Sequence, residues 1–200
     1  MKINSKKYKN LLEYYSDEYS FLVPHCRQVA KLAIQLFKQT KSLHSLKKKE
    51  KKYLLYASLL HDIGYEVESI SHNKYSCQFI MNNPYLQWSK KTKKIVACIA
   101  RYHRGSFPQQ THKLFGKLSP KKQNVVTILS SLLRIADGLD YTHQNSVKSL
   151  KVKIEKDTVT IEVIPAKDIV PKVDIDRAKK KSHLFASVFQ LEEVIFCLKN

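Results

Sequence analysis

At Val147 the spacing of apolar residues changes from helical to alternating, and this restricts the fold more than any other feature of the chain. Beyond it, Leu150, Val152 and Ile154 alternate with Lys151 and Lys153, and Val159, Ile161 and Val163 alternate with Thr160 and Glu162. A two-residue turn at Lys156-Asp157 pairs Ile154 with Val159, Val152 with Ile161 and Leu150 with Val163, so these apolar residues share one face of a hairpin. An amphipathic helix from Asp174 (Ile175, Ala178, Phe185, Val188, Phe189) and a closing strand from Glu193 to Leu198 follow. The expected fold class is therefore α+β: mainly α, with a small C-terminal antiparallel β-sheet plus helix. The expected divisions are an N-terminal helical extension (1–19), a helical domain (20–144) and a packed C-terminal hairpin, helix and strand (145–200).

Within the helical part, a helix opens near Ser20 with Pro24 and His25 in its first turn. The polar segment Lys41 to Leu46 reads as a loop, and a third helix runs from about Lys47 to His61-Asp62, with Gly64 expected as its left-handed stop. A short helix from His72 to Met81 is stopped by Asn82-Asn83-Pro84. Ser89 caps the next, which ends in Arg101-Tyr102-His103-Arg104. Ser119-Pro120 opens the longest helix, carrying Arg134, Asp137 and Asp140. Only four glycines and six prolines in 200 residues agree with this helical bias.

The four cysteines are scattered without a C-x-x-C pair, as expected of reduced thiols in a cytoplasmic protein. No apolar run reaches the ~18 residues a membrane span needs, and the N-terminus lacks a signal-peptide core, so no membrane partner is expected. The net charge of +19 predicts affinity for polyanions, including nucleic acid through a basic surface. Of the 36 basic residues only five are arginine; Arg27, Arg101, Arg104 and Arg134 each lie close in sequence to a candidate histidine or aspartate. Against a lysine background, arginine there suggests planar recognition of phosphate.

Those candidates are His25, His61-Asp62, His72, His103 and Asp137, each near a helix end beside a segment that must enter the core. A carboxylate such as Asp62 at a core edge needs a cation, either a basic side chain or a metal. One histidine on an apolar face is usually a satisfied core residue; several helices presenting one at their ends point to a shared metal. His44 and His183 are expected to be exposed.

In this order, His25, His61-Asp62 and Asp137 resemble the H…HD…D signature of the HD-domain metal-dependent phosphohydrolases. The segments Ala57-Ser58-Leu59-Leu60-His61-Asp62-Ile63-Gly64-Tyr65, His72-Asn73-Lys74-Tyr75-Ser76, Ile99-Ala100-Arg101-Tyr102-His103-Arg104 and Leu132-Leu133-Arg134-Ile135-Ala136-Asp137-Gly138-Leu139-Asp140 resemble more closely the HD-like C-terminal domain of the exopolyphosphatase and guanosine-pentaphosphatase (Ppx/GppA) family. The resemblance implies an HD helical bundle in which His25, His61, Asp62 and Asp137 hold one metal, with Asp62 bridging to a second completed by His72 and His103. It implies Asp62, Arg101, Arg104 and Lys74 as the catalytic and phosphate-neutralising groups, with His112, Arg134, Asp140 and His143 in an outer shell. One or two divalent ions of Mn, Fe, Ni or Co suit that imidazole-rich set better than Mg. The implied activity is hydrolysis of a phosphate ester or anhydride in a small nucleotide or polyphosphate-type substrate. The alternative is a non-catalytic module that binds polyphosphate, nucleotide or RNA; a homodimer fits either. Two departures stand out: Tyr75 replaces a histidine frequent in the family, and these residues include no counterpart of the actin-like domains that carry polyphosphatase chemistry in long members.

Overall fold

The structure is a computed structural model that describes residues 10–166 and 169–199. Its helices are α1 (Leu22–Gln39), α2 (Lys41–His44), α3 (Lys48–Leu60), α4 (His72–Asn82), α5 (Lys90–Arg101), α6 (Pro120–Gly138), α7 (Lys172–Lys181) and α8 (His183–Phe189). Its strands are β1 (Val147–Glu155), β2 (Thr158–Pro165) and β3 (Glu193–Leu198). The fold is mainly α with one small sheet, the α+β class that the change of period implies. The N-terminal extension is expected to hold one short helix around Lys9 to Tyr15; residues 10–12 are helical, and Lys9 lies outside the described residues.

Because α3 and α5 are apolar over their C-terminal halves and α6 over its middle turns, they bury against one another, and α3 and α6 also bury against α1. Leu36, Leu54, Leu55, Leu59, Ile95, Ile99, Leu129 and Leu132 lie in one continuous core, which extends to Leu150, Val159, Ile161 and Val163 of the sheet. Leu11, Leu12 and Tyr15 join it, with the Tyr15 hydroxyl donating to the Leu59 carbonyl at 3.1 Å.

The hairpin has the register that alternation requires: Ile154 faces Val159, Val152 faces Ile161 and Leu150 faces Val163. Its turn places Lys156 at φ 46°. The closing strand differs from expectation, since β3 runs parallel to β2 and makes the sheet mixed. Two helices, where one continuous helix was expected, return the chain to the end at which β2 began, and that is the connection a parallel pair needs. The outer edge of β1 is met by a row of glutamines on α1. Gln35 accepts from the Leu150 amide (2.9 Å), Gln39 accepts from the Val152 amide (3.0 Å) and donates to the Leu150 carbonyl (3.0 Å), and Gln28 donates to the Val147 carbonyl.

His44 is buried, contrary to expectation, because Lys41 to His44 forms a helical turn that folds the ring onto Phe37 (centroids 4.5 Å apart). Its Nδ1 accepts from the Leu46 amide, so its Nε2–H donates to the Phe37 carbonyl at 2.9 Å and the ring is neutral. Burial pushes this imidazole below its ordinary value. Its contribution to stability is therefore complete above about pH 6.5 and lost as pH falls through the lower folded value. Between pH 7.5 and 5 the thermal midpoint of the wild type should drop further than that of His44→Gln. Equal drops in calorimetry would show that this ring does not control the acid limb.

Candidate metal centre

The C-terminal ends of α3, α5 and α6 and the first turns of α1 and α4 meet at one point, which brings His25, His61, Asp62, His72, His103 and Asp137 together in the interior. What aims the imidazoles is the acceptor each has on Nδ1: the Ser58 carbonyl for His61 (2.9 Å), the Ser69 carbonyl for His72 (2.7 Å), the Ala100 carbonyl for His103 (2.7 Å) and the Asp140 carboxylate for His25 (2.9 Å). A carbonyl or carboxylate oxygen only accepts, so each Nδ1 carries a proton, and in the neutral ring the Nε2 lone pair is turned inward.

Those Nε2 atoms surround Asp62 at 3.5 Å (His25), 3.4 Å (His61), 3.2 Å (His72) and 3.6 Å (His103). Asp137 lies 3.5 Å from His25 Nε2 and 3.7 Å from His61 Nε2. Most of these separations are too long for good hydrogen bonds, and Nε2 of His25 and of His61 are buried with no partner. Ligand atoms sharing an ion about 2.1 Å away sit at such spacings from one another. Two groups can each hold an ion, His25–His61–Asp62 and Asp62–His72–His103, and Asp62 belongs to both.

The electrostatics show the same demand for positive charge. Burial opposes ionisation of Asp62, yet the His61 charge, with His72 and His25 beside it, holds its carboxyl far below the usual range. Burial likewise opposes ionisation of Asp137, and the Lys181 ammonium with His25 and His61 outweighs it. For His25, burial acts downward, but Asp137, Asp140 and Asp62 raise the imidazole to about 10. His103, with burial and the neighbouring His61 against protonation, is pushed well below its ordinary value and stays neutral.

Gly64 positions the second half of the cluster by a route the sequence did not suggest. It lies in a 3₁₀ turn (Ile63–Glu66) and lacks the left-handed backbone expected of a stop; of the described glycines only Gly105 has positive φ (66°). A Cβ at position 64 would collide with the His72 carbonyl oxygen and the Ser76 amide. The Ser76 hydroxyl bridges this contact, donating to the His61 carbonyl (2.5 Å) and accepting from the Gly64 amide (2.9 Å).

A pocket of about 540 Å³ opens onto Asp62, His72, His103 and Asp137, with Arg104, Arg134, Arg177 and Lys181 around it. Arg104 thus stands where expected. Arg134 donates to the Tyr102 and Gly105 carbonyls (3.1 and 3.2 Å) and leaves its buried Nε unpartnered. Arg101 and Lys74 do not line the pocket: Arg101 lies over the Tyr102 ring (6.0 Å) and Lys74 is exposed on α4. Each is one residue from an inward-facing neighbour, Tyr102 or Asn73, and helical spacing turns it to another face. Asp140 backs His25, and His143, at φ 58°, stacks on the His25 ring at 3.9 Å. His112 bonds the Tyr102 hydroxyl (2.8 Å) away from the imidazoles. Tyr75 does not line the pocket, which Tyr65 does, stacked on His72 at 4.0 Å.

Arg177 and Lys181 were missed in the sequence. They stand one helical turn apart on α7, where Lys181 binds Asp137 directly and Arg177 donates to the Tyr141 hydroxyl (3.1 Å). The signal was their i, i+4 spacing; what aims them inward is the crossing of α7 over Gly138, where a Cβ would meet the Ala178 backbone.

Fold and site together describe a helical protein with an internal histidine–aspartate cluster beneath a cationic pocket, an arrangement suited to metal ions and phosphate groups. The chain belongs to the family described as Ppx/GppA phosphatase, domain III, whose profile it matches over residues 12–179. No curated protein matches the chain.

Proposed function

We propose that this chain is an HD-type metal-dependent phosphohydrolase acting on a phosphate ester or anhydride of a small nucleotide or polyphosphate-type substrate. The observation that carries the reading is the convergence of inward-facing Nε2 atoms on Asp62 at the floor of a pocket ringed by three arginines and a lysine. His25, His61, Asp62 and Asp137 would hold one divalent ion, and Asp62, His72 and His103 a second. The imidazole-rich donor set favours Mn, Fe, Ni or Co over Mg. Such ions supply Lewis acidity toward a phosphoryl oxygen and lower the pKa of water.

The protein's own groups do the rest. Arg104, just past the end of α5, and Arg134 on α6 neutralise phosphoryl oxygens, as Arg177 and Lys181 do from α7. Asp140 and the Ser58, Ser69 and Ala100 carbonyls keep each imidazole in the tautomer that presents Nε2. Membership in a phosphatase family supports a phosphate-bearing substrate. A competing reading, a non-catalytic polyanion-binding module, is favoured by Lys181, whose ammonium already meets Asp137.

A panel of nucleotides, dinucleoside polyphosphates, guanosine tetra- and pentaphosphate, oligonucleotides and polyphosphate, assayed with Mn and with chelator, separates the two. The expected result is turnover of at least one substrate, abolished by chelator and restored by Mn. On that substrate Arg104→Ala should cost about tenfold or more, on the order of 1.4 kcal/mol, while Lys74→Ala costs less than twofold. Binding without turnover on any substrate would establish the module.

A further inference from the structure

The helices whose C-terminal ends build the metal centre begin together at the opposite pole. Lys48, Lys49 and Lys52, on the first turns of α3, line a groove of about 580 Å³ with Ser89 and Thr92 at the start of α5. A neighbouring groove continues from Lys90, Lys91 and Lys94 on α5 to Lys117 and Lys122 at the start of α6. The starts of α3 and α5 lie roughly 20 Å from the histidines at their far ends, by the 1.5 Å rise of a 13-residue and a 12-residue helix.

The charge of this pole is one-sided. No acidic residue occurs between Glu68 and Asp137, a stretch that holds all of α5 and the start of α6. On the α3 side the single carboxylate is Glu50, which is spent on capping the Lys47 amide (3.1 Å). A polyanion fits such a face.

An aromatic surface in the first groove narrows the class of polyanion. Trp88 stacks on Tyr56 with centroids 4.5 Å apart and planes 12° from parallel. Tyr56 is buried and covers one face of the indole, while Trp88 is partly exposed and lines the groove beside the three lysines. Inorganic polyphosphate has no π-face for such a platform, and a duplex hides its bases; unpaired bases stack on it while lysines follow the backbone. We infer that this pole is a single-stranded nucleic-acid binding surface, separate from the metal centre, with Trp88 as its stacking platform and the lysines of α3, α5 and α6 as its phosphate track. It does not depend on the proposed hydrolase activity.

Trp88 is the chain's only tryptophan, so its emission reports on this groove alone. Titration with a single-stranded RNA dodecamer in chelator should quench that emission, and a duplex of equal length should bind more weakly. Polyphosphate of equal charge should leave the emission unchanged. Measured by anisotropy of labelled RNA, Trp88→Ala should weaken binding about tenfold and Trp88→Phe should largely preserve it. Replacing Lys48, Lys49 and Lys52 by alanine should flatten the log–log salt slope by about 2. Asp62→Asn should bind RNA as the wild type does, which separates this surface from the metal centre. Binding that is equal for RNA, duplex and polyphosphate, or insensitive to Trp88→Ala, or lost in Asp62→Asn, overturns the inference. So does quenching by anionic phosphatidylserine vesicles without quenching by RNA.

Discussion

Asp62→Asn should carry no divalent metal after purification and should gain no thermal stability when Mn is added, whereas the wild type should do both. Asp62 is the carboxylate that faces all the converging imidazoles, with His25, His61, His72 and His103 within 3.2–3.6 Å of it. An amide of the same shape offers a neutral oxygen or a nitrogen that cannot ligate, so both candidate groups lose the carboxylate they share. A ligand that binds only the folded state adds about 2.7 kcal/mol at a hundred times its Kd. For a chain of this size that is roughly 5–10 °C in the thermal midpoint. His183→Ala is the matching control because that ring is exposed; His44 cannot serve, since it is buried. Metal analysis and a thermal shift alike in Asp62→Asn and wild type would remove the centre from the proposed function.

The second large effect is expected from Gly64→Ala. The added methyl would enter space held by the His72 carbonyl and the Ser76 amide, both backbone groups that cannot rotate away. α4 would have to lift from the His61–Asp62 turn, breaking the Ser76 bridge as it goes. Overpacking against backbone of this kind costs about 3 kcal/mol or more. Metal affinity should fall as well, because His72 rides on the displaced helix. Denaturation by urea with metal titration in parallel reads both quantities; unchanged midpoints would mean that α4 accommodates the methyl without moving.

How much was legible in the sequence depended on whether the determining contact was local. Alternation alone set the hairpin register, because a one-residue slip would turn Val159, Ile161 and Val163 to solvent. His25, His61, Asp62, His72, His103 and Asp137 were legible because each ends or opens a helix whose apolar face fixes its direction. Lys181 was not, since its place at Asp137 follows from the docking of α7 on α6 at Gly138, and nothing near it in the chain signals that crossing. The direction of β3 was hidden for a related reason: strand pairing across two intervening helices is decided by where those helices return the chain. Gly64 illustrates a third limit, because a glycine kept for a close approach reads the same in sequence as one kept for a left-handed turn.

The glutamine row on α1 makes growth of the sheet one-sided. Gln35 and Gln39 occupy the amides that a visiting strand would seek on β1, so a second copy or an added segment has no purchase there. At β3 no strand flanks the outer side among the described residues, and Ile195 and Leu198 are partly exposed. Strand exchange, fibril extension and the grafting of an extra β-element are thereby all directed to a single margin of the protein, the one farthest across the sheet from the helix that carries His25.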